Sequence, residues 1–123
     1  GEMFPDLPDA YDPELRKQLI GICHKRKFPV HEGVYTAVCG PSYETPAEIK
    51  AFRAWGGHVV GMSVVPEVIV ARQMGVKTTA LTWISNMSSG MKGASLNHEE
   101  VLALGDTVSK NLRVVLQDFI KLA

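Results

Sequence analysis

The sequence predicts an α/β fold. Short runs of β-branched and aromatic residues alternate with segments that carry helix-capping residues and helical apolar spacing. Glycine or a turn closes each run, and a single helix fills each interval. Strands joined by single helices pair in parallel through right-handed crossovers.

The first element is announced by Asp12-Pro13-Glu14, an N-cap, a proline at the first helical position and an acid in the first turn. The helix is expected to run to about His24. The basic run His24 to Lys27 then lies at its C-terminus, where cations suit the helix dipole. Gly33 to Cys39, closed by Gly40-Pro41, is rich in β-branched and aromatic residues and reads as a buried strand. Thr45-Pro46-Ala47-Glu48 is a capping box opening a second helix, with Ile49, Phe52 and Trp55 on one face and Gly56-Gly57 as its stop.

Val59 to Met62 is the next strand. Pro66 opens a helix over Glu67 to Met74 that Gly75 ends, and Lys77 to Ser85 is predicted as a third strand. After a loop up to Leu96, Asn97 caps a long final helix, with Glu100 completing a capping box. Its apolar positions are Val101, Leu104, Val108, Leu112, Val115 and Phe119. Three strands leave two open edges, so the expected sheet is larger than this chain supplies.

Composition narrows the class of partner. Thirteen basic and thirteen acidic residues among 123 give a net charge of zero, with no charge pattern suited to nucleic acid or an anionic membrane. No apolar run is long enough for a transmembrane helix. The acids and prolines of the first twelve residues are unlike a signal peptide. Cys23 and Cys39 read as free thiols of a reducing cytoplasm, and no Cys/His spacing suggests a metal site.

In open parallel sheets ligands bind beyond the carboxyl ends of the strands. That rule selects Gly40 to Glu44, Gly61 to Ser63 and Ser85 to Ser89. Glu44 is a carboxylate at such a mouth beside the ring of Tyr43, or simply a solvated helix-start acid beside a core aromatic. Ser63 either caps the following helix or donates its hydroxyl to an anion held there. Met62 reads as packing, Asn86 as a turn residue or a planar donor–acceptor pair, and His98 as a surface residue at a helix start.

Taken together, three segments closely resemble the trimeric, mammalian-like purine nucleoside phosphorylases. They are Gly40-Pro41-Ser42-Tyr43-Glu44-Thr45, the run from Val60-Gly61-Met62-Ser63 to Arg72, and Asn97-His98-Glu99-Glu100-Val101. Asp9-Ala10-Tyr11-Asp12 matches an upstream motif of the family, and the resemblance extends over essentially the whole chain. Family members are longer, so residues 1–123 are expected to be the C-terminal part of a single nucleoside phosphorylase domain. The resemblance implies a mixed central sheet with flanking helices.

It also implies roles. Glu44 resembles the carboxylate that accepts from purine N1–H, and Asn86 the amide that holds N7 and O6. Tyr43, Val60 and Gly61 resemble the wall around the base, Met62 the ribose-packing residue and His98 the residue bonding the ribose 5′-hydroxyl. Ser63 resembles a phosphate ligand, and Phe4 an aromatic that reaches into a neighbouring subunit's site. The implied reaction is pentosyl transfer to inorganic phosphate, with phosphate as substrate and neither cofactor nor metal. The implied assembly is a homotrimer of complete subunits, with a companion chain supplying the N-terminal half. Tyr43 stands where mammalian members often carry phenylalanine, Ser85 where they carry threonine, and the loop Met87 to Leu96 matches poorly. Methylthioadenosine phosphorylases place aspartate where Asn86 stands, so the asparagine favours 6-oxopurines.

Overall fold

The helix starts are set by local hydrogen bonds. In the computed structural model, α1 (Pro13–Lys25) begins where the Asp12 carboxylate accepts from the Glu14 and Leu15 N–H groups, both at 3.0 Å. The other carboxylate oxygen meets Lys77 Nζ at 3.2 Å. α2 (Pro46–Ala54) begins with the expected capping box. Glu48 Oε2 accepts from the Thr45 N–H at 2.7 Å and from its hydroxyl at 2.8 Å, and Thr45 Oγ1 accepts from the Glu48 N–H at 3.3 Å.

The structure describes residues 4–91 and 98–122; within the last helix it describes the side chains of residue 105 and residues 108–122. The remaining elements are β1 (Tyr35–Ala37), β2 (Val59–Gly61), α3 (Val65–Gln73) and α4 (His98–Ile120). Asn97 and the Glu100 side chain, expected to cap α4, lie outside the described residues.

Three helices end in the same way. After α2 and α3, Gly56 (φ 91) and Gly75 (φ 74) take up positive φ. The next residue's N–H then reaches back to a carbonyl in the last turn of the helix, Gly57 to Phe52 and Val76 to Ala71, both at 2.9 Å. This is the Schellman arrangement. α1 ends identically, with Phe28 N–H on the Cys23 carbonyl at 2.9 Å, but the positive-φ position is Lys27 (φ 58) rather than glycine. A side chain there crowds the following carbonyl, so Lys27→Gly is expected to stabilise the chain by about 1 kcal/mol, read as a higher denaturation midpoint. An unchanged midpoint would mean that the lysine makes a compensating contact.

The Asp12 bonds give a second expectation. Donation from the Leu15 N–H and the nearby Lys77 ammonium hold the Asp12 carboxyl below its ordinary pKa. A carboxylate depressed in the folded state contributes stability above its unfolded pKa and loses it as pH falls through the folded value. Stability is therefore expected to fall on acidification below about pH 5. Asparagine at this position would still cap the helix, so Asp12→Asn should flatten that decline in an acid titration of the melting temperature. An unaltered acid limb would leave Glu48, whose carboxyl is also held low by the Thr45 N–H, as the group responsible.

The chain divides into two compact units. One comprises Gly1–Val30, Ser63–Thr82 and Asn111–Ala123. Its core is Leu19, Ile22 and Cys23 of α1 against Val115 of α4, flanked by Phe28, Val30, Leu81 and Phe119. Arg26 joins Asp118 at 2.7 Å over this core. Burial pushes the Cys23 thiol pKa up, which suits a packing residue, while Cys39 is exposed and both thiols are free.

The other unit comprises His31–Met62 and Trp83–Lys110 and contains the sheet. β1 and β2 pair in parallel, Tyr35 with Val59, Thr36 with Val60 and Ala37 with Gly61. The Val38 N–H extends the ladder to the Gly61 carbonyl at 3.0 Å. Both strands are shorter than the sequence suggests, and their carboxyl ends coincide.

Two expectations fail. Lys77 to Ser85 forms no strand. Its recorded backbone bond runs from the Asp12 N–H to the Thr78 carbonyl at 2.7 Å, and Thr78 Oγ1 donates to the Ala10 carbonyl at 2.6 Å. A strand exists only through its ladder, and among the described residues no segment pairs with this one. The strand read over Gly33 to Cys39 is also not buried, since Tyr35 and Thr36 are half-buried and Ala37 is exposed. Trp55, which the sequence puts on one face of α2 with Ile49 and Phe52, is 76% exposed. Its ring lies against that of Phe52, with centroids 5.9 Å apart.

Candidate functional site

Parallel pairing in that register delivers the segments after β1 and β2 to one end of the sheet. Gly40 stands just beyond β1 with φ 62, and the Met62 side chain, just beyond β2, lies directly over it. A side chain at Gly40 would collide with the Met62 thioether. The two post-strand segments are thus locked together by the absence of one Cβ.

A cleft of about 180 Å³ opens beside this lock, lined by Val38, Cys39, Gly40, Ser42, Tyr43, Glu44, Glu48 and Phe52. Among the described residues its lining has two carboxylates and two aromatic rings and no cation. The carboxylates differ in availability. Glu48 is committed to the Thr45 N–H and hydroxyl, whereas Glu44, half-buried, has no recorded hydrogen bond or ion pair among the described residues. Tyr43 is 51% exposed. An anion would be repelled here, while a planar ligand with N–H donors would find acceptors and ring faces.

The loop from Ser85 to Gly90 is held near the same place. Gly90 packs so closely on Pro46 that a Cβ would sit 2.7 Å from the proline Cβ. This ties the loop after Asn86 to the helix start two residues beyond Glu44. Asn86 is half-buried, and its Nδ2 donates to Ser85 Oγ at 2.9 Å. That bond orients the amide and leaves Oδ1 and one Nδ2 hydrogen for a ligand.

Val60 and Gly61 sit in the β2 ladder rather than in the cleft wall, and the Tyr35 hydroxyl covers the Gly61 Cα. Met62 is half exposed beside the cleft. Ser63, in the other unit, is not the cap of α3: the cap position is Val64, and no side chain caps that helix. Phe4 is 85% exposed. His98 begins α4, and its side chain lies outside those described. Sequence reasoning missed Phe52 and Glu48 as cleft residues. Their spacing from each other on α2, four residues apart on one face, was the available signal.

A family model described as the phosphorylase superfamily matches residues 1–121. The chain belongs to this superfamily. It is 44% identical over 108 residues to purine nucleoside phosphorylase 1 of Bacillus subtilis, an alignment covering 88% of this chain and 40% of that protein. A solved Schistosoma purine nucleoside phosphorylase in complex with hypoxanthine superposes with a TM-score of 0.91 at 39% identity, over 98% of this chain and 44% of that one. A Schistosoma mansoni purine nucleoside phosphorylase in complex with adenosine superposes with a TM-score of 0.90, also at 39% identity, 98% of this chain and 44% of that chain being covered. The superfamily chain thus has the nucleoside phosphorylase fold, and it spans about two fifths of the length of these relatives. Among its described residues no helix is long and apolar enough to cross a membrane.

Proposed function

We propose that this superfamily member is the C-terminal part of a purine nucleoside phosphorylase domain acting on 6-oxopurine nucleosides. The observation that carries this reading is the Glu44 carboxylate in an aromatic cleft, where among the described residues it is uncommitted and no cation lines the wall. Purine N1–H of inosine or guanosine is the donor such a carboxylate accepts from, and the Tyr43 and Phe52 rings supply apolar walls.

Asn86 completes the base. With one Nδ2 hydrogen on Ser85, the second donates to O6 while Oδ1 accepts from N7–H. In phosphorolysis a phosphate oxygen bonds to C1′ as the C1′–N9 bond breaks. The purine leaves with the electron pair and takes a proton at N7. The Asn86 Oδ1 bond therefore strengthens as the bond to the sugar stretches, which is differential binding of the transition state. Phosphate is the nucleophile, so neither a protein nucleophile nor a cofactor enters the chemistry. Val60 and Gly61 back the base, Met62 packs against the ribose, His98 bonds the 5′-hydroxyl and Ser63 contacts phosphate. The exposed Phe4 ring reaches a neighbouring subunit of a homotrimer.

A 6-aminopurine nucleoside is the second reading, favoured by the adenosine-bound relative. It sits less well with Glu44, because N1 of adenine is an acceptor. The test is intact mass spectrometry, denatured and then native, followed by phosphate-dependent base release from inosine, adenosine and methylthioadenosine. A second polypeptide in the complex and preference for inosine support the proposal. Preference for the 6-amino nucleosides supports the second reading, and purine binding without turnover by a single 13.5 kDa species identifies a non-catalytic fragment.

A further inference from the structure

Gly90 and Gly75 differ in what surrounds them. Both take up positive φ, 77 and 74, so a side chain at either is strained by the backbone alone. At Gly75 nothing lies within 4 Å of the place a Cβ would occupy. At Gly90 that place is 2.7 Å from the Pro46 Cβ, 3.2 Å from its Cγ and 3.4 Å from its Cα. The loop therefore lies against the proline with no room for one further carbon.

Both sides of this contact are stiff. Pro46 is the first residue of α2, and its ring has no rotamer that could make way. The Thr45–Glu48 capping box around it fixes the chain that leaves Glu44. On the loop side the Met91 N–H donates to the Ser88 carbonyl at 3.1 Å, closing a turn with Ser89 and Gly90 at its centre. Only Met87 separates that turn from Asn86. A displacement at Gly90 is thus passed to Asn86 through a closed turn and one residue, while Glu44 stays with α2.

We infer that Gly90 is a positioning residue, whose missing side chain seats the loop on Pro46 and so sets where the Asn86 amide stands relative to the Glu44 carboxylate. This role rests on Glu44 and Asn86 being the groups that hold the base. A methyl group at Gly90 must move the loop by roughly 1 Å to reach ordinary contact, a misplacement that can cost about a hundredfold in rate. The Asn86 bond to N7 tightens as the bond to the sugar breaks, so the loss falls on kcat more than on KM.

The experiment is steady-state phosphorolysis of inosine by the assembled protein, together with melting temperatures. The variants are Gly90→Ala, Gly75→Ala, and Gly90→Ala combined with Asn86→Asp. Gly90→Ala is expected to lower kcat by about ten- to a hundredfold with KM within about threefold. Gly75→Ala carries the same backbone strain without the contact, so it lowers the melting temperature and leaves kcat unchanged. In the Asn86→Asp background Gly90→Ala should cost less than about threefold further, because residues acting through one another are not additive. An unchanged kcat in Gly90→Ala, an equal loss in Gly75→Ala, or full additivity with Asn86→Asp overturns the role. If Gly90→Ala does not fold, Pro46→Gly empties the seat while the Thr45–Glu48 box keeps the helix start. It is expected to lower kcat, and a kcat equal to the parent's overturns the role. Inosine left uncleaved by the parent overturns the base-holding reading and this role together. An active parent with an unaltered Gly90→Ala overturns this role alone.

Discussion

Asn86→Asp in the assembled protein is expected to lower kcat/KM for inosine by about 10²–10³-fold, the usual cost of removing one donor aimed at developing charge. The Ser85 hydroxyl accepts from the Asn86 amide at 2.9 Å, which leaves Oδ1 and one N–H for a base bound as proposed. Aspartate keeps an acceptor for N7–H but sets a second oxygen against O6, where inosine also has lone pairs. The carboxylate and O6 then repel each other in a half-buried setting. A 6-amino group reverses the sign, because it donates. The same substitution should therefore raise the ratio of adenosine to inosine turnover. Steady-state kinetics with both nucleosides at saturating phosphate checks this. Inosine turnover within a few fold of the parent would remove Asn86 from the chemistry.

Glu44→Ala should lower kcat/KM for inosine by about a hundredfold, the worth of a hydrogen bond to a charged group that is made in both ground and transition states. The effect is expected partly in KM, since the N1–H bond does not depend on cleavage of the sugar. Discrimination against adenosine should collapse with it. On the proposed reading a carboxylate enclosed by the bound base and left facing the adenine N1 lone pair would reject that base, and alanine would remove the rejection. Glu44→Gln restores an acceptor through its amide oxygen and should recover part of the inosine activity. Glu48→Ala is the control for the neighbouring carboxylate. It breaks the capping box and lowers stability, but leaves the inosine/adenosine ratio unchanged. An unchanged ratio in Glu44→Ala would assign selectivity elsewhere.

Much of this site is legible from residue order, because the parallel crossover places post-strand segments together whatever their identity. Glu44 and Tyr43 were found by that rule, and the structure places both in one cleft. Phe52 and Glu48 escape that rule, since one reads as part of a helix's apolar face and the other as half of a capping box. Both assignments are correct locally, and a residue can cap or pack with one edge and line a cleft with another. Ser63 was read as a possible cap. The helix instead begins one residue later, on a strained valine that no propensity would place there.

What the sequence by itself determined are the ends of the helices. Asp12, the Thr45–Glu48 box, Gly56 and Gly75 act through hydrogen bonds spanning two to five residues, so their outcome depends on the local chain alone. The parallel order of β1 and β2 follows from the single helix between them. Only the tertiary structure decided the rest. Lys77 to Ser85 has the composition of a strand and is not one, because a ladder needs a second chain segment that composition does not provide. Trp55 is exposed for a related reason, as helical periodicity marks an apolar face but not the surface that must cover it. The Met62–Gly40 lock and the Gly90–Pro46 approach join residues far apart in sequence, where only the path of the backbone determines which side chain must be missing.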